Sequence, residues 1–337
     1  MSVVLPPELL GLKKHSNAAF IDAPEHEAAF REKRPDLRVF SIRKSEPVPP
    51  HGWGYELGRQ FTGKILTKRP RYHFQIDAIF VGPDADPTTV AQVSEFAHVG
   101  GWIWNLANGE TKPTRHTPSP PWSSGVAKLS TDEQKYLFDE IAKLPAGSVY
   151  VEIGTYRGGG AALAASANSK IKIFAMDIWE EMNPSFDHFE RHTQFFKNVI
   201  PMRVDRNNPT SGPKLIAKRL GIDVKDLRID LIFVDGAHDY KSVLGDLTAY
   251  DPYAKKICGH DWVYGWQVDL ALRNFYAGRS GPFRNWGLAV KGQAALFKVF
   301  RKLPNPYVEL APGKTSIWVK RPGVGPTAPA LETPARE

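Results

Sequence analysis

Val149-Tyr150-Val151-Glu152-Ile153-Gly154-Thr155-Tyr156-Arg157-Gly158-Gly159-Gly160 is the stretch that decides the fold. A short β-rich run ends in an acid, glycines occupy the turn, and an Ala-rich run from Ala161 to Ala167 follows with helical character. Strand, glycine loop and helix in that order are how α/β folds hold a nucleotide-like ligand. Gly154 and Gly158 let the backbone approach such a ligand, because no Cβ stands in the way. A glycine-rich turn alone is a weak signal, so the flanking sequence must carry the rest.

Ile171 to Asp177 reads as a second strand closing on an acid. Asp177 falls about 20 residues beyond the loop, the spacing of a ribose-binding carboxylate in such sites. Ile200 to Asp205 closes on a third acid. The apolar run Ile229 to Val234 leads into Asp235-Gly236-Ala237-His238-Asp239-Tyr240, and Lys256 to Gly259 leads into His260-Asp261-Trp262. Polar residues thus collect at the carboxyl ends of strands, where open α/β sheets bind ligands. Upstream, Ser130 and Glu133 have capping-box spacing, with Tyr136, Leu137, Ile141 and Leu144 on one face of the helix they start.

From about residue 130 to 320 the chain resembles class I S-adenosylmethionine (SAM)-dependent methyltransferases. The likeness is to the small-molecule and sugar O-methyltransferase branch that includes the macrocin and mycinamicin enzymes and the cephalosporin hydroxylase-like proteins. It rests on Glu152-x-Gly154-x-x-x-Gly158, Asp177, Asp235-Gly236-x-His238-x-Tyr240 and Gly259-His260-Asp261. Val268 to Tyr276 and Ser316 to Lys320 resemble that family's last helix and last strand. The resemblance implies a mostly parallel, Rossmann-like seven-stranded sheet with helices on both faces. It implies cofactor contacts at Glu152, Gly154, Thr155, Tyr156, Gly158, Asp177, Asp205 and Asp235, with Asp177 on the ribose hydroxyls and Glu152 near the amino-acid end or ordering the loop. The Gly-x-x-x-Gly spacing departs from the dinucleotide pattern and argues against a nicotinamide cofactor. A competing reading of Glu152 and Asp177 is strand-end acids satisfied by helix N-termini.

Methyl transfer to oxygen needs a proton acceptor and an acceptor group held in line. His238, two residues past Gly236, is the candidate base with Asp235 beside it, since an imidazole titrates near working pH. Its alternative is a capping or core histidine. Asp235, His260 and Asp261 form a candidate divalent-metal set. Two carboxylates and one nitrogen are few ligands for Mg2+, leaving water and substrate oxygens to complete the shell. Metal-using members of the resembled family usually carry an acid where His260 stands, which moves the choice toward Mn2+ or no metal. Trp179, Phe186, Phe189, Phe195 and Phe196 form either a lid or, as the favoured reading, an amphipathic packing face. Trp262, Tyr264 and Trp266 could stack on a sugar or aromatic acceptor.

At 337 residues with a formal net charge of +8, the chain is long enough for one or two domains and favours anionic partners. Its basic residues are dispersed, so nucleic-acid methylation remains an alternative rather than the leading reading. A non-catalytic protein that keeps the fold and binds SAM is the other. No 18-residue apolar run and no signal-like N-terminus are found, so neither a membrane partner nor secretion is expected. The single cysteine, Cys258, lies in an apolar run, which fits a core residue and a reducing, cytoplasmic setting. A homo-oligomer is compatible with the sequence.

Residues 1–106 read as an N-terminal α/β region, with a strand at Leu37 to Ile42, another at Phe74 to Val81, a helix at Thr88 to Phe96 and a strand at Gly100 to Asn105. Ile76-Asp77-Ala78-Ile79-Phe80-Val81 parallels Ile229-Asp230-Leu231-Ile232-Phe233-Val234, which makes this region a candidate degenerate methyltransferase-like half. The competing view is that α/β units look alike whatever their origin. Residues 107–125, rich in proline, read as a linker, 126–320 as the methyltransferase domain, and 321–337 as a disordered tail.

Overall fold

The computed structural model describes residues 5–14, 16–42, 76–94, 97–106, 112–117, 127–179, 185–205, 208–262, 266–278, 305–313 and 315–325. The described chain divides into two compact units, and it crosses between them. One unit takes residues 1–143, 156–169 and 179–199, and the other 144–155, 170–178 and 200–337. The linear division expected from sequence therefore differs from the packing division.

The first unit opens with a short helix α1 (Pro7–Leu10) and holds a five-stranded sheet in the order β2-β1-β3-β4-β5. Its members are β1 (Asn17–Ile21), α2 (Pro24–Lys33), β2 (Arg38–Ile42), β3 (Ile76–Val81), α3 (Pro87–Ser94), β4 (Ala97–Asn105) and β5 (Thr114–Arg115). All neighbours are parallel except β5, which runs antiparallel to β4. The interior strand β1, between β2 and β3, was not legible as a strand. All five of its residues are buried, so no alternation marks it, and its alanines have low strand propensity. α2 follows familiar end rules, with Pro24 in its first turn, Glu25 and Glu27 beside it, and Arg31 and Lys33 in its last turn. The 107–125 span is not wholly a linker, because Thr114 and Arg115 pair with Ile103 and Trp102. A two-residue edge strand is too short to show a period. Residues 107–111 and 118–126 lie outside the described residues.

The seven-stranded sheet has the order β11-β12-β10-β9-β6-β7-β8. Helix α4 (Thr131–Ala142) precedes β6 (Val149–Ile153); then come α5 (Gly159–Ala167), β7 (Lys172–Asp177), α6 (Ser185–Thr193), β8 (Val199–Arg203), α7 (Ser211–Leu220), β9 (Leu231–Val234), α8 (Tyr240–Tyr250), β10 (Ile257–Gly259), α9 (Trp266–Tyr276), β11 (Val308–Leu310) and β12 (Trp318–Lys320). β6 pairs in parallel with both β7 and β9, and β9 with β10, while β12 is antiparallel to β10 and β11. This mostly parallel α/β sheet is the expected Rossmann-like architecture. Its strand order reverses between β6 and β9, the switch point where open sheets leave a crevice beyond the strand ends.

Residues Val151, Phe174, Ile232, Leu247, Ile257 and Trp318 belong to the core of the second unit. Cys258 is fully buried in β10, as expected for a small core residue. The Ser130 capping box forms as read, with Glu133 Oε2 accepting from Ser130 N at 2.7 Å. Residues 321–325 are not tail-like, since Arg321 N donates to the Tyr307 carbonyl at 2.9 Å. The remaining 326–337, like Phe74, Gln75 and Phe96, lie outside the described residues. Among the described residues, no helix is long and apolar enough to cross a membrane.

Candidate functional site

The site is built at the carboxyl ends of β6, β7, β9 and β10. Gly154, directly after β6, has φ +88°. Its N–H donates to the Met176 carbonyl at 2.8 Å, and a Cβ in its place would collide with the Asp235 carbonyl oxygen. Glycine is therefore required twice over, by conformation and by the approach of the β9 loop.

Glu152 is buried in β6 and its Oε2 has no hydrogen-bond partner in good geometry. The adjacent Thr155 Oγ1 is buried too, and its hydroxyl, turned toward Glu152 but not in good hydrogen-bond geometry, opposes the rise of that carboxyl. Burial, then the negative charges of Asp235 and Asp177, raise the Glu152 carboxyl to about 8. Asp177 closes β7, half-buried. Asp205 lies exposed two residues beyond β8 at the sheet edge. Tyr156 and Gly158 belong to the first unit, where the loop is fixed from the β7–α6 side. Trp179 Nε1 donates to the Tyr156 carbonyl at 2.8 Å, and His192 Nδ1 lies 2.7 Å from the Arg157 carbonyl. Tyr156 holds a positive φ of 49°. A Cβ on Gly158 would fall 2.8 Å from the Phe189 ring.

The second cluster surrounds Asp235. His238 Nε2 lies 3.1 Å from Asp261 Oδ2, with the imidazole 44% exposed. His260 Nδ1 lies 3.4 Å from Asp235 Oδ1 and 3.3 Å from Asp261 Oδ1, and its Nε2 lies 2.9 Å from Ser316 Oγ. Burial raises the Asp235 carboxyl, while His260 opposes that shift by hydrogen bonding and charge. Asp261 takes a left-handed φ of 58°, which aspartate tolerates better than most residues and which aims its carboxylate between the two histidines. Ligand atoms of Asp235, His238 and Asp261 all lie within 4.8 Å of one another, in the arrangement of a metal set. The geometry thus puts His238 with the two acids. His260, read from sequence as a ligand, has its Nδ1 beside the same two carboxylates and its Nε2 against Ser316 Oγ.

The aromatic run after β7 packs rather than standing free. Trp179 and Phe189 are buried with ring centroids 4.7 Å apart, and Phe186 meets Trp179 edge-on at 4.9 Å. Phe195 is buried, and Phe196 packs against the same cluster. Trp262 is partly buried against the core, whereas Tyr264 and the Trp266 side chain lie outside the described residues. Sequence reasoning missed Ser316 and Asp246. Asp246, on α8, is raised to about 7 by burial and then by Asp239, and its Oδ2 stands 3.8 Å from where a Gly236 Cβ would be. Its one sequence signal was an acid in the helix that follows the Asp235 loop.

These groups suit a SAM-like ligand. A buried carboxyl oxygen and hydroxyl with spare accepting capacity fit a cationic ammonium donor, and Asp177 at the end of β7 fits a ribose.

Residues 151–260 match the model of a family described as a methyltransferase domain. That match supports a SAM-dependent methyltransferase. No curated protein sequence matches the chain. Similar solved structures include the MycE methyltransferase of the mycinamycin biosynthetic pathway, in complex with Mg and S-adenosylhomocysteine (SAH), at 15% identity, 56% of this chain, 44% of that chain and a TM-score of 0.32. TrmN from Thermus thermophilus shares 14% identity over 59% of this chain and 64% of its own, at a TM-score of 0.33. Precorrin-8w decarboxylase from Methanobacterium thermoautotrophicum shares 20% identity over 40% of this chain and 65% of its own, at a TM-score of 0.29. The chain spans less than two thirds of the length of these structures, and likeness at this level carries no argument about substrate.

Proposed function

We propose that this protein is a SAM-dependent O-methyltransferase acting on a hydroxyl of a small molecule or sugar. The observation that carries the reading is the His238–Asp261 pair, 3.1 Å apart beside Asp235 at the switch-point end of the sheet. SAM bound there supplies an electrophilic sulfonium methyl. Glu152, Gly154, Thr155, Asp177, Asp205 and Asp235 are the residues that would hold it. Asp261 accepts from Nε2–H of His238 and so selects the tautomer whose Nδ1 carries the lone pair. That lone pair would take the proton of the acceptor hydroxyl as its oxygen bonds to the sulfonium methyl carbon and the bond from that carbon to sulfur breaks, leaving SAH, and the Asp261 carboxylate would stabilise the resulting imidazolium. Glu152 and Thr155, in β6 and its loop, would orient the cofactor by charge-assisted hydrogen bonds.

A second reading of the same cluster is favoured by one observation, the convergence of Asp235, His238 and Asp261. These would hold Mg2+ or Mn2+, with His260 orienting the two carboxylates from the outer shell. Such an ion would lower the pKa of a chelated diol.

The deciding experiment is incubation with labelled SAM and a panel of glycosides, catechols and RNA, with and without divalent metal. Label in a glycoside or catechol supports the proposal, and label in RNA replaces it with nucleic-acid methylation. SAM binding without transfer to any acceptor favours a binding protein. In calorimetry, Asp177→Ala should weaken SAH binding by about 1.5–3 kcal/mol, the loss of charge-assisted hydrogen bonds.

A further inference from the structure

The first sheet repeats the second strand by strand. The order β2-β1-β3-β4-β5 corresponds to β7-β6-β9-β10-β12, including the antiparallel last member. Ala18 pairs with Ala78 as Tyr150 pairs with Leu231. The Asp22 N–H donates to the Ile42 carbonyl at 2.8 Å as Gly154 N–H does to Met176 at 2.8 Å. The Gly82 N–H donates to Ile21 at 2.7 Å as Asp235 N–H does to Ile153 at 2.8 Å. Beyond the strands, Asp86 caps Thr89 through N at 2.8 Å and Oγ1 at 2.9 Å. Asp239 caps Ser242 in the same way at 3.0 and 2.7 Å. Ile79, Phe80, Val81, Asp86 and Val90 recur at identical spacing as Ile232, Phe233, Val234, Asp239 and Val243. General α/β likeness does not produce matching register, caps and spacing together.

The copy has lost the cofactor residues. Phe20 stands at the place of Glu152, Gly82 at that of Asp235 and Ala85 at that of His238. α2 begins at Pro24, immediately after Asp22 and Ala23, so the glycine loop is missing. One feature has been kept and redirected. Asp230 accepts from Val149 N–H at 2.9 Å and pairs with the largely exposed Lys255 at 2.6 Å. Its counterpart Asp77 accepts from Asn17 N–H at 2.8 Å but is fully buried. Asp77 pairs instead with Arg191 on α6, whose Nη2 and Nε lie 2.7 and 2.8 Å from Oδ2. The residue after Arg191 is His192, which holds the Arg157 carbonyl, and one helical turn back Phe189 supports Gly158.

We propose that the N-terminal sheet is a second copy of the cofactor-binding core that no longer takes a cofactor, and that its Asp77, through Arg191, positions the glycine loop at Tyr156 to Gly158. Asp77 is a positioning residue, and the inference rests on the methyltransferase reading of that loop. An ion pair this buried fixes geometry more than it adds stability, because both charges are desolvated, while removing one partner leaves the other uncompensated.

The test compares Arg191→Lys, which keeps the charge but loses the two-pronged guanidinium contact, with Asp77→Asn. Arg191→Lys guards against a misfolded Asp77→Asn. Hydrogen exchange at the amides of residues 156–160 should quicken by about 5- to 10-fold in Arg191→Lys, while amides of β1 and β3 stay unchanged. The Kd for SAH should rise by a similar factor, with the KM for SAM rising and kcat nearly constant. Unchanged loop exchange in a folded Arg191→Lys would overturn the inference. So would equal quickening at β1, β3 and the loop, which marks global loosening. Two SAH sites per chain would overturn the loss of cofactor binding from the copy. If the wild-type protein binds no SAH, the methyltransferase reading fails, while the exchange pattern still decides whether Asp77 and Arg191 hold the loop.

Discussion

Gly154 lies directly against the carbonyl of Asp235, so the glycine loop and the loop carrying the candidate base are set by one backbone contact. Any side chain at position 154 meets that carbonyl and must also adopt φ +88°. Gly154→Ala should lower stability by about 2–4 kcal/mol and abolish measurable SAH binding. Urea unfolding and calorimetry check both. A variant with wild-type stability would show that the β6 and β9 loops can separate freely.

Glu152 titrates between the two states of the site. Its carboxyl is raised to about 8 in the folded protein, against about 4.5 unfolded. A raised folded pKa means the stabilising difference is complete below 4.5 and is lost as pH rises through 8. Glu152→Gln should therefore be more stable than wild type at pH 8 and similar at pH 4. A cationic ligand next to Glu152 favours the ionised form, so SAM binding at pH 7 should release a proton. Binding enthalpies measured in buffers of different ionisation heat will show the release. Proton-neutral binding would place the cofactor's cation elsewhere.

For His238 the expected consequence is kinetic. His238→Ala should lower kcat by roughly 10²–10⁴-fold with SAH affinity nearly unchanged. Asp261→Asn tests the orienting acid while preserving tolerance of the left-handed backbone. Activity that disappears in chelator and returns with Mn2+ favours the metal reading. Full activity in chelator leaves the dyad alone, and wild-type turnover by His238→Ala removes the base.

His192 supplies a stability prediction at acid pH. Burial, then the neighbouring His98 and Arg191, hold its pKa well below the usual histidine value. The neutral ring can donate from Nδ1 to the Arg157 carbonyl. Because the folded pKa is depressed, the stability associated with the neutral ring is complete above about 6.5 and declines as pH falls toward the folded pKa. Thermal melts should show a loss below pH 6.5 that is smaller in His192→Gln. An identical acid profile in that variant would assign the loss to carboxylates.

Sequence alone marked every strand of the second sheet but β11, and the polar residues at their carboxyl ends. The run Val149 to Gly160 and the acids and histidines that end later strands are local signals, since strand length, glycine turns and strand-end polarity are written in adjacent residues. The repeat of Ile76 to Val81 in Ile229 to Val234 was equally visible. Tertiary structure decided what depends on distance between segments. It made β1 an interior strand of a sheet although its sequence has no alternation, because burial on both faces removes the pattern. It brought His238 as well as His260 beside the two acids, because the left-handed turn at Asp261 sets where that carboxylate points. It also joined Asp77 to Arg191, 114 positions away, a pairing no local rule predicts because the charges meet only when a strand and a helix from distant parts of the chain pack together.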